Sequence, residues 1–123
     1  MKEIKIKIGG VELKGELYDT PTADLVYNSL PLWSRFNTWG DEIYFQIPVE
    51  TGLEEGASEE VKVGEIGYWP EGNAFCIFFG KTPISTDEKI LAASKVNIIG
   101  RLVDDPAKLR ELKKAKEIGI EKV

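Results

Sequence analysis

Glu42 and Tyr44 stand two positions apart in Gly40-Asp-Glu-Ile-Tyr-Phe45. Alternation along a strand sends both side chains to one face. A carboxyl group beside a phenol in one pocket can give and take protons, so a small hydrolase or lyase working through Glu42 is one chemistry the pair suits. The same spacing also describes a solvated carboxylate on a strand surface. Arg35 is the third candidate catalytic residue, lying among Trp33, Phe36 and Trp39. Its planar fork can donate several hydrogen bonds in fixed directions, or its stem can lie on an aromatic face while its head pairs with Glu42.

Composition removes much of the remaining chemistry. The 123 residues include no histidine, which excludes the commonest general base and metal ligand and any Ser-His or Cys-His nucleophile. The single Cys76 cannot form an intramolecular disulfide, and its place between Phe75 and Ile77 reads as a buried, inert thiol. No metal site and no cofactor are expected. The net charge of −5 speaks against a nucleic-acid partner, which needs a basic face, and against anionic substrates. No apolar run is long enough to span a membrane, and Met1-Lys-Glu-Ile-Lys5 reads as a strand rather than a leader, so a cytoplasmic protein is expected. Lys and Glu dominate the charges, and Gln46, Met1 and Cys76 are each alone of their kind, a bias that matches thermophile composition.

The aromatic residues gather in Gly64 to Gly80. Gly64 to Trp69 and Ala74 to Phe79 are β-prone runs separated by Pro70-Glu-Gly-Asn73, a hairpin signal. Phe75, Ile77 and Phe79 share one face, and Ala74, Cys76 and Phe78 share the other. Phe75 and Phe78 are candidate groove walls, with Tyr68 and Trp69 as neighbours on the paired strand. Asn73 would complete that side of the groove, and Arg35, Trp39, Glu42 and Tyr44 would form the opposite border. Most of these aromatics could instead fill the core, and Asn73 could be only a turn residue that tolerates positive φ.

The elements that would position these residues are mostly strands within one domain, residues 1–123. Glu3 to Ile8 and Val11 to Leu17 alternate around Gly9-Gly10 as a hairpin. Thr20-Pro21 opens a short helix with Ala23, Leu25, Val26, Ser29 and Leu30 on its stripe, and Pro31 ends it. Leu32 to Asn37 and Trp39 to Val49 read as strands. Residues 50–60, rich in Gly, Glu, Ser and Thr, read as a solvated connection or a lid before a strand at Val61 to Val63. Ile90 to Ser94 is ambiguous, and Val96 to Val103 is a strand. Asp104-Asp105-Pro106 opens a second helix through Ile118, with Leu109, Leu112, Ala115 and Ile118 at helical spacing.

Gly40 to Phe45, Gly64 to Gly80 and Val96-Asn-Ile-Ile-Gly-Arg101 together resemble the small prokaryotic cyclophilin-like proteins, a family with the prolyl-isomerase barrel and no agreed function. The resemblance runs from the first hairpin through Val103. It implies a closed antiparallel barrel of about eight strands with two helices capping or flanking it. It also implies a groove that takes a peptide, a protein or a small molecule. True cyclophilins use an arginine to stabilise the twisted X-Pro bond, whose barrier is about 18 to 20 kcal/mol. Here the strand Gly40 to Val49 holds no arginine, and of Arg35, Arg101 and Arg110 only Arg35 is near enough in sequence to stand in. The first expectation is therefore a binding module, monomer or homodimer. A weak prolyl isomerase comes second, and a Glu42 hydrolase or lyase third.

Overall fold

Alternating isoleucines build the first hairpin of the computed structural model, which describes residues 1–123. Ile4, Ile6 and Ile8 of β1 (Lys2–Ile8) face inward beside Leu13 and Leu17 of β2 (Val11–Leu17), in a register that pairs Ile6 with Leu13. The two-residue turn between them needs positive φ twice, which Gly9 (+56°) and Gly10 (+77°) supply. Thr20 then caps α1 (Pro21–Asn28), its hydroxyl accepting from the Ala23 N–H at 3.2 Å. The helix adds Ala23 and Val26 to the same core.

The rest of the chain is strand after strand: β3 (Leu32–Arg35), β4 (Asn37–Thr38), β5 (Glu42–Gln46), β6 (Ser58–Val61), β7 (Glu65–Trp69), β8 (Ala74–Phe78), β9 (Ile90–Leu102) and β10 (Glu117–Lys122). Every pairing is antiparallel. The order is β3-β10-β1-β2-β9-β7-β8-β5-β4, with β6 added to β9. Twenty-two buried residues fill the space the sheet encloses.

Two expectations are corrected here. The sheet has ten strands and is not closed by a ladder, where a closed barrel of about eight was expected. Its end strands, β3 and β4, are consecutive in the chain with Phe36 between them. The backbone turns at Phe36 from pairing with β10 to pairing with β5, so a peptide link spans the seam in place of hydrogen bonds. The second helix is shorter than expected and is 3-10 rather than α. Pro106–Leu112 forms 3-10 turns capped by Asp105, which buries Leu109 and is tied to Asp41 by Arg110 (3.3 Å) and Lys113 (3.2 Å). Ile118 then belongs to β10. The period-two pair Ile118 and Ile120 drops into the core, and both edges of the strand find partners in β1 and β3, a gain in burial and ladder bonds that one helical turn could not match.

Residues 50–57 are held down rather than left loose. Buried Asn97 accepts from the Glu54 N–H (2.8 Å) and donates to Gly52 O and Thr22 Oγ1 (3.0 Å each), while the Glu54 carboxylate accepts from the Thr22 N–H at the start of α1 (3.0 Å). A second, smaller apolar layer forms outside the sheet. The first half of β9, with β6 alongside, packs Val61, Ala92 and Val96 on the outer face of β8, against Ala74, Cys76 and Phe78.

Candidate functional site

Strand parity decides which side chains meet. On β5, Ile43 and Phe45 point into the core, so Glu42 and Tyr44 point out. Antiparallel register then sets Glu42 against Phe78 and Tyr44 against Cys76, while β7 places Trp69 against Ala74 on the same outer face. Trp39 joins them because the β4–β5 turn folds back, its N–H donating to Glu42 O at 2.9 Å. These side chains, roofed by Ala92, Ala93 and Val96 of β9, enclose a pocket of about 230 Å³.

Glu42 is the chemical centre of that pocket. Its side chain is buried, with 6% of the residue exposed, and no lysine or arginine pairs with it. Removal from water raises its pKa to about 7, opposed in part by the Cys76 thiol beside it. Burial likewise pushes the Cys76 thiol well above its usual range, with the Glu42 carboxylate adding to the effect, so Cys76 is a neutral lining group and not a nucleophile.

The aromatic wall is fixed in place. The Trp69 indole N–H donates to Ser94 Oγ at 2.6 Å, and the Ser94 hydroxyl donates to the Glu71 carboxylate at 2.6 Å. The ring lies over the turn at Gly72, where a Cβ would stand 2.7 Å from Cε3 and Cζ3, so only glycine leaves room. Trp39 and Tyr44 are half-buried and present the remaining aromatic surface.

The structure thus brings Glu42, Tyr44, Trp39 and Trp69 together. Phe78 lies on the same outer face but is fully buried beneath the pocket layer. Tyr68 and Phe75 point the other way, into the core, where Phe75 stacks on Phe45 with ring centroids 5.3 Å apart. Asn73 is the turn residue, at φ +48°, and its Oδ1 accepts from the Tyr68 hydroxyl at 3.2 Å. Arg35 is not part of the pocket. It borders a separate, open groove of about 700 Å³ beside Trp33 and the Gly9-Gly10 turn, and it makes no ion pair. That groove is rimmed by solvated charges and holds no buried titratable group.

Sequence reasoning missed Cys76 as a lining group, along with Ala92, Ala93 and Val96. The parity of Cys76 with Phe78 was the available signal for the first. For the others it was a strand whose side chains, Ala92-Ala-Ser94, are too small to fill the space in front of large aromatics. No group of three or more Asp, Glu or Cys side chains is placed to hold a metal ion, and no helix is long and apolar enough to cross a membrane.

A family model described as cyclophilin-like matches residues 2–121. The chain is similar to a hypothetical protein from Archaeoglobus fulgidus known from its solution structure, at 38% identity and a TM-score of 0.81, over 99% of this chain and 95% of that one. It also shares its fold with McbB in complex with tryptophan, at 16% identity and a TM-score of 0.71, over 97% of this chain and 44% of that one. No curated protein matches it.

Proposed function

Because this chain belongs to the cyclophilin-like family, we propose that it is a binding module whose ligand is a small organic molecule seated in the outer-face pocket of Trp39, Glu42, Tyr44 and Trp69. One observation carries the reading: a carboxyl group is buried in an apolar, aromatic cavity without a charged partner. Leaving such a group there costs stability, and folding alone gains nothing from it. An apolar pocket with one convergent polar group and a displaced pKa is the usual form of a ligand site. A volume of about 230 Å³ suits a small molecule or a single side chain rather than a length of peptide. McbB, of the same fold, is known in complex with tryptophan, which supports the capacity of this fold to take a small ligand.

A second reading has an observation of its own. A carboxyl group with a pKa of about 7 beside Tyr44 is poised to exchange protons at neutral pH, so acid or base chemistry on the bound molecule fits the same site. Prolyl isomerisation fits less well, because the pocket lining contains no arginine.

The test is a small-molecule screen read by thermal shift and by intrinsic fluorescence, since two of the three tryptophans line the pocket. Hits that shift Trp39 and Trp69 emission, and that are lost when Ala93→Phe fills the rim, are expected. Hits that survive Ala93→Phe and respond only to Trp33→Phe would overturn the assignment.

A further inference from the structure

Resting on the pocket reading above, we infer that the ligand is a small organic cation, a tertiary or quaternary ammonium group held between the Glu42 carboxylate and the faces of Trp39, Tyr44 and Trp69.

Charge comes first. Glu42 is the single ionisable carboxyl among the lining residues, and no basic side chain accompanies it. An anionic ligand would meet it with repulsion, and a neutral apolar ligand would strip its remaining water without compensation. A cation supplies the missing partner in a site of low dielectric. The net charge of −5 also favours the approach of cations over anions.

The walls then choose among cations. A primary ammonium brings three N–H donors and needs three acceptors. The side-chain acceptors, the Glu42 carboxylate and the Tyr44 hydroxyl, both stand on β5, and Ala92, Ala93, Val96 and Cys76 offer apolar surface to an N–H on any other side. An alkylated ammonium brings one donor or none and lays methyl groups on that surface. Its charge is spread over those methyl groups, which aromatic faces attract through the ring quadrupole, tryptophan most strongly. The hydrogen bonding of Trp69 points the same way: its indole N–H is already committed to Ser94, so what the ring can offer a ligand is its face.

Size agrees. The cavity of about 230 Å³ has room for a trimethylammonium head and a short tail. A ligand with a negative group as well would meet the Glu42 carboxylate with no basic side chain in the lining to offset it, so that group belongs outside the pocket.

The probes are choline and its uncharged isostere 3,3-dimethylbutan-1-ol, titrated by calorimetry and by tryptophan fluorescence at pH 8.5, where Glu42 is ionised. Choline is expected to bind about tenfold or more tighter than the alcohol. Glu42→Gln is expected to abolish that preference while keeping the pocket apolar. Trp69→Leu is expected to weaken choline more than the alcohol, an independent arm if the Glu42 variant folds poorly. Equal binding of both probes, or tighter binding of the alcohol, overturns the cation inference and leaves the pocket reading in place. Binding of neither probe to millimolar concentration overturns the cation inference, and if the wider screen also finds nothing that Ala93→Phe blocks, the pocket reading falls with it.

Discussion

Trp69 and Ser94 are joined by a 2.6 Å hydrogen bond that ties the aromatic wall on β7 to the strand roofing the pocket, and Ser94 passes the link on to Glu71. A large ring held in its binding position before the ligand arrives spares the ligand the entropy of ordering it. Ser94→Ala is therefore expected to cost about 1 kcal/mol of stability and to weaken pocket ligands several-fold. Trp69 emission should broaden. Ser94→Thr keeps the acceptor and should restore affinity. Unchanged ligand affinity in Ser94→Ala would show that Trp69 is held by packing on Gly72 alone.

The Glu42 carboxyl predicts an unusual pH profile. Its folded-state pKa of about 7 lies above the ordinary 4.5, so between those values the folded state keeps a proton that the unfolded state has lost. Stability from this group is therefore full below pH 4.5 and is lost as pH rises through 7. The difference of about 2.5 units amounts to about 3 kcal/mol at pH 8. Tyr44 on its own strand and Cys76 on β8 are the titratable neighbours, the Cys76 thiol kept neutral by its burial, and β7 and β9 bring none into the lining. Glu42→Gln removes the penalty. Urea denaturation of variant and wild type should differ little at pH 4.5, with the variant gaining up to about 3 kcal/mol at pH 8. A constant difference across that range would mean that Glu42 titrates normally.

Much of this is legible in the sequence, and the limits have physical causes. The β1–β2 hairpin, α1 and the β7–β8 hairpin follow from local signals: paired glycines, a Thr-Pro cap, and a Pro-Glu-Gly-Asn turn. β10 was not legible, because Leu109, Leu112, Ala115 and Ile118 also fit a helical stripe, and only pairing with β1 and β3 decides for a strand. The open seam was hidden because Phe36 interrupts what reads as one run, and its change of partner is a tertiary event. In the site, parity alone brought Glu42 and Tyr44 to one face. Parity cannot say which face is the core, so Phe75 and Phe78, on opposite faces, were drawn into one groove. Arg35 stands out only by its neighbours in sequence, which do not report distance across a sheet.

Asn97 carries a structural prediction separate from the pocket. It alone connects Glu54, Gly52 and Thr22 through one side chain, and all three contacts are lost together in Asn97→Ala. The buried groups left without partners should cost about 2 to 3 kcal/mol. Hydrogen exchange at the Glu54 amide should accelerate, while ligands of the Glu42 pocket, which Asn97 does not line, should bind as before. A loss below about 0.5 kcal/mol would mean that the Glu54–Thr22 bond holds residues 50–57 by itself.

Arg35 supplies the last prediction. Prolyl isomerisation of the cyclophilin kind needs an arginine fork at the seat of the proline ring, because polarising the prolyl nitrogen is what lowers a barrier of about 18 to 20 kcal/mol. In this protein the aromatic pocket has no arginine, and the arginine nearest to it in sequence borders another groove beside Trp33. Exchange of an X-Pro peptide between cis and trans, followed by NMR line shape, is therefore expected to run at the uncatalysed rate of tens to hundreds of seconds. Arg35→Ala should change neither that rate nor the binding of pocket ligands. Acceleration comparable to an authentic cyclophilin, lost in Arg35→Ala, would move the functional surface to the groove at Trp33 and refute the assignment of the Glu42 pocket.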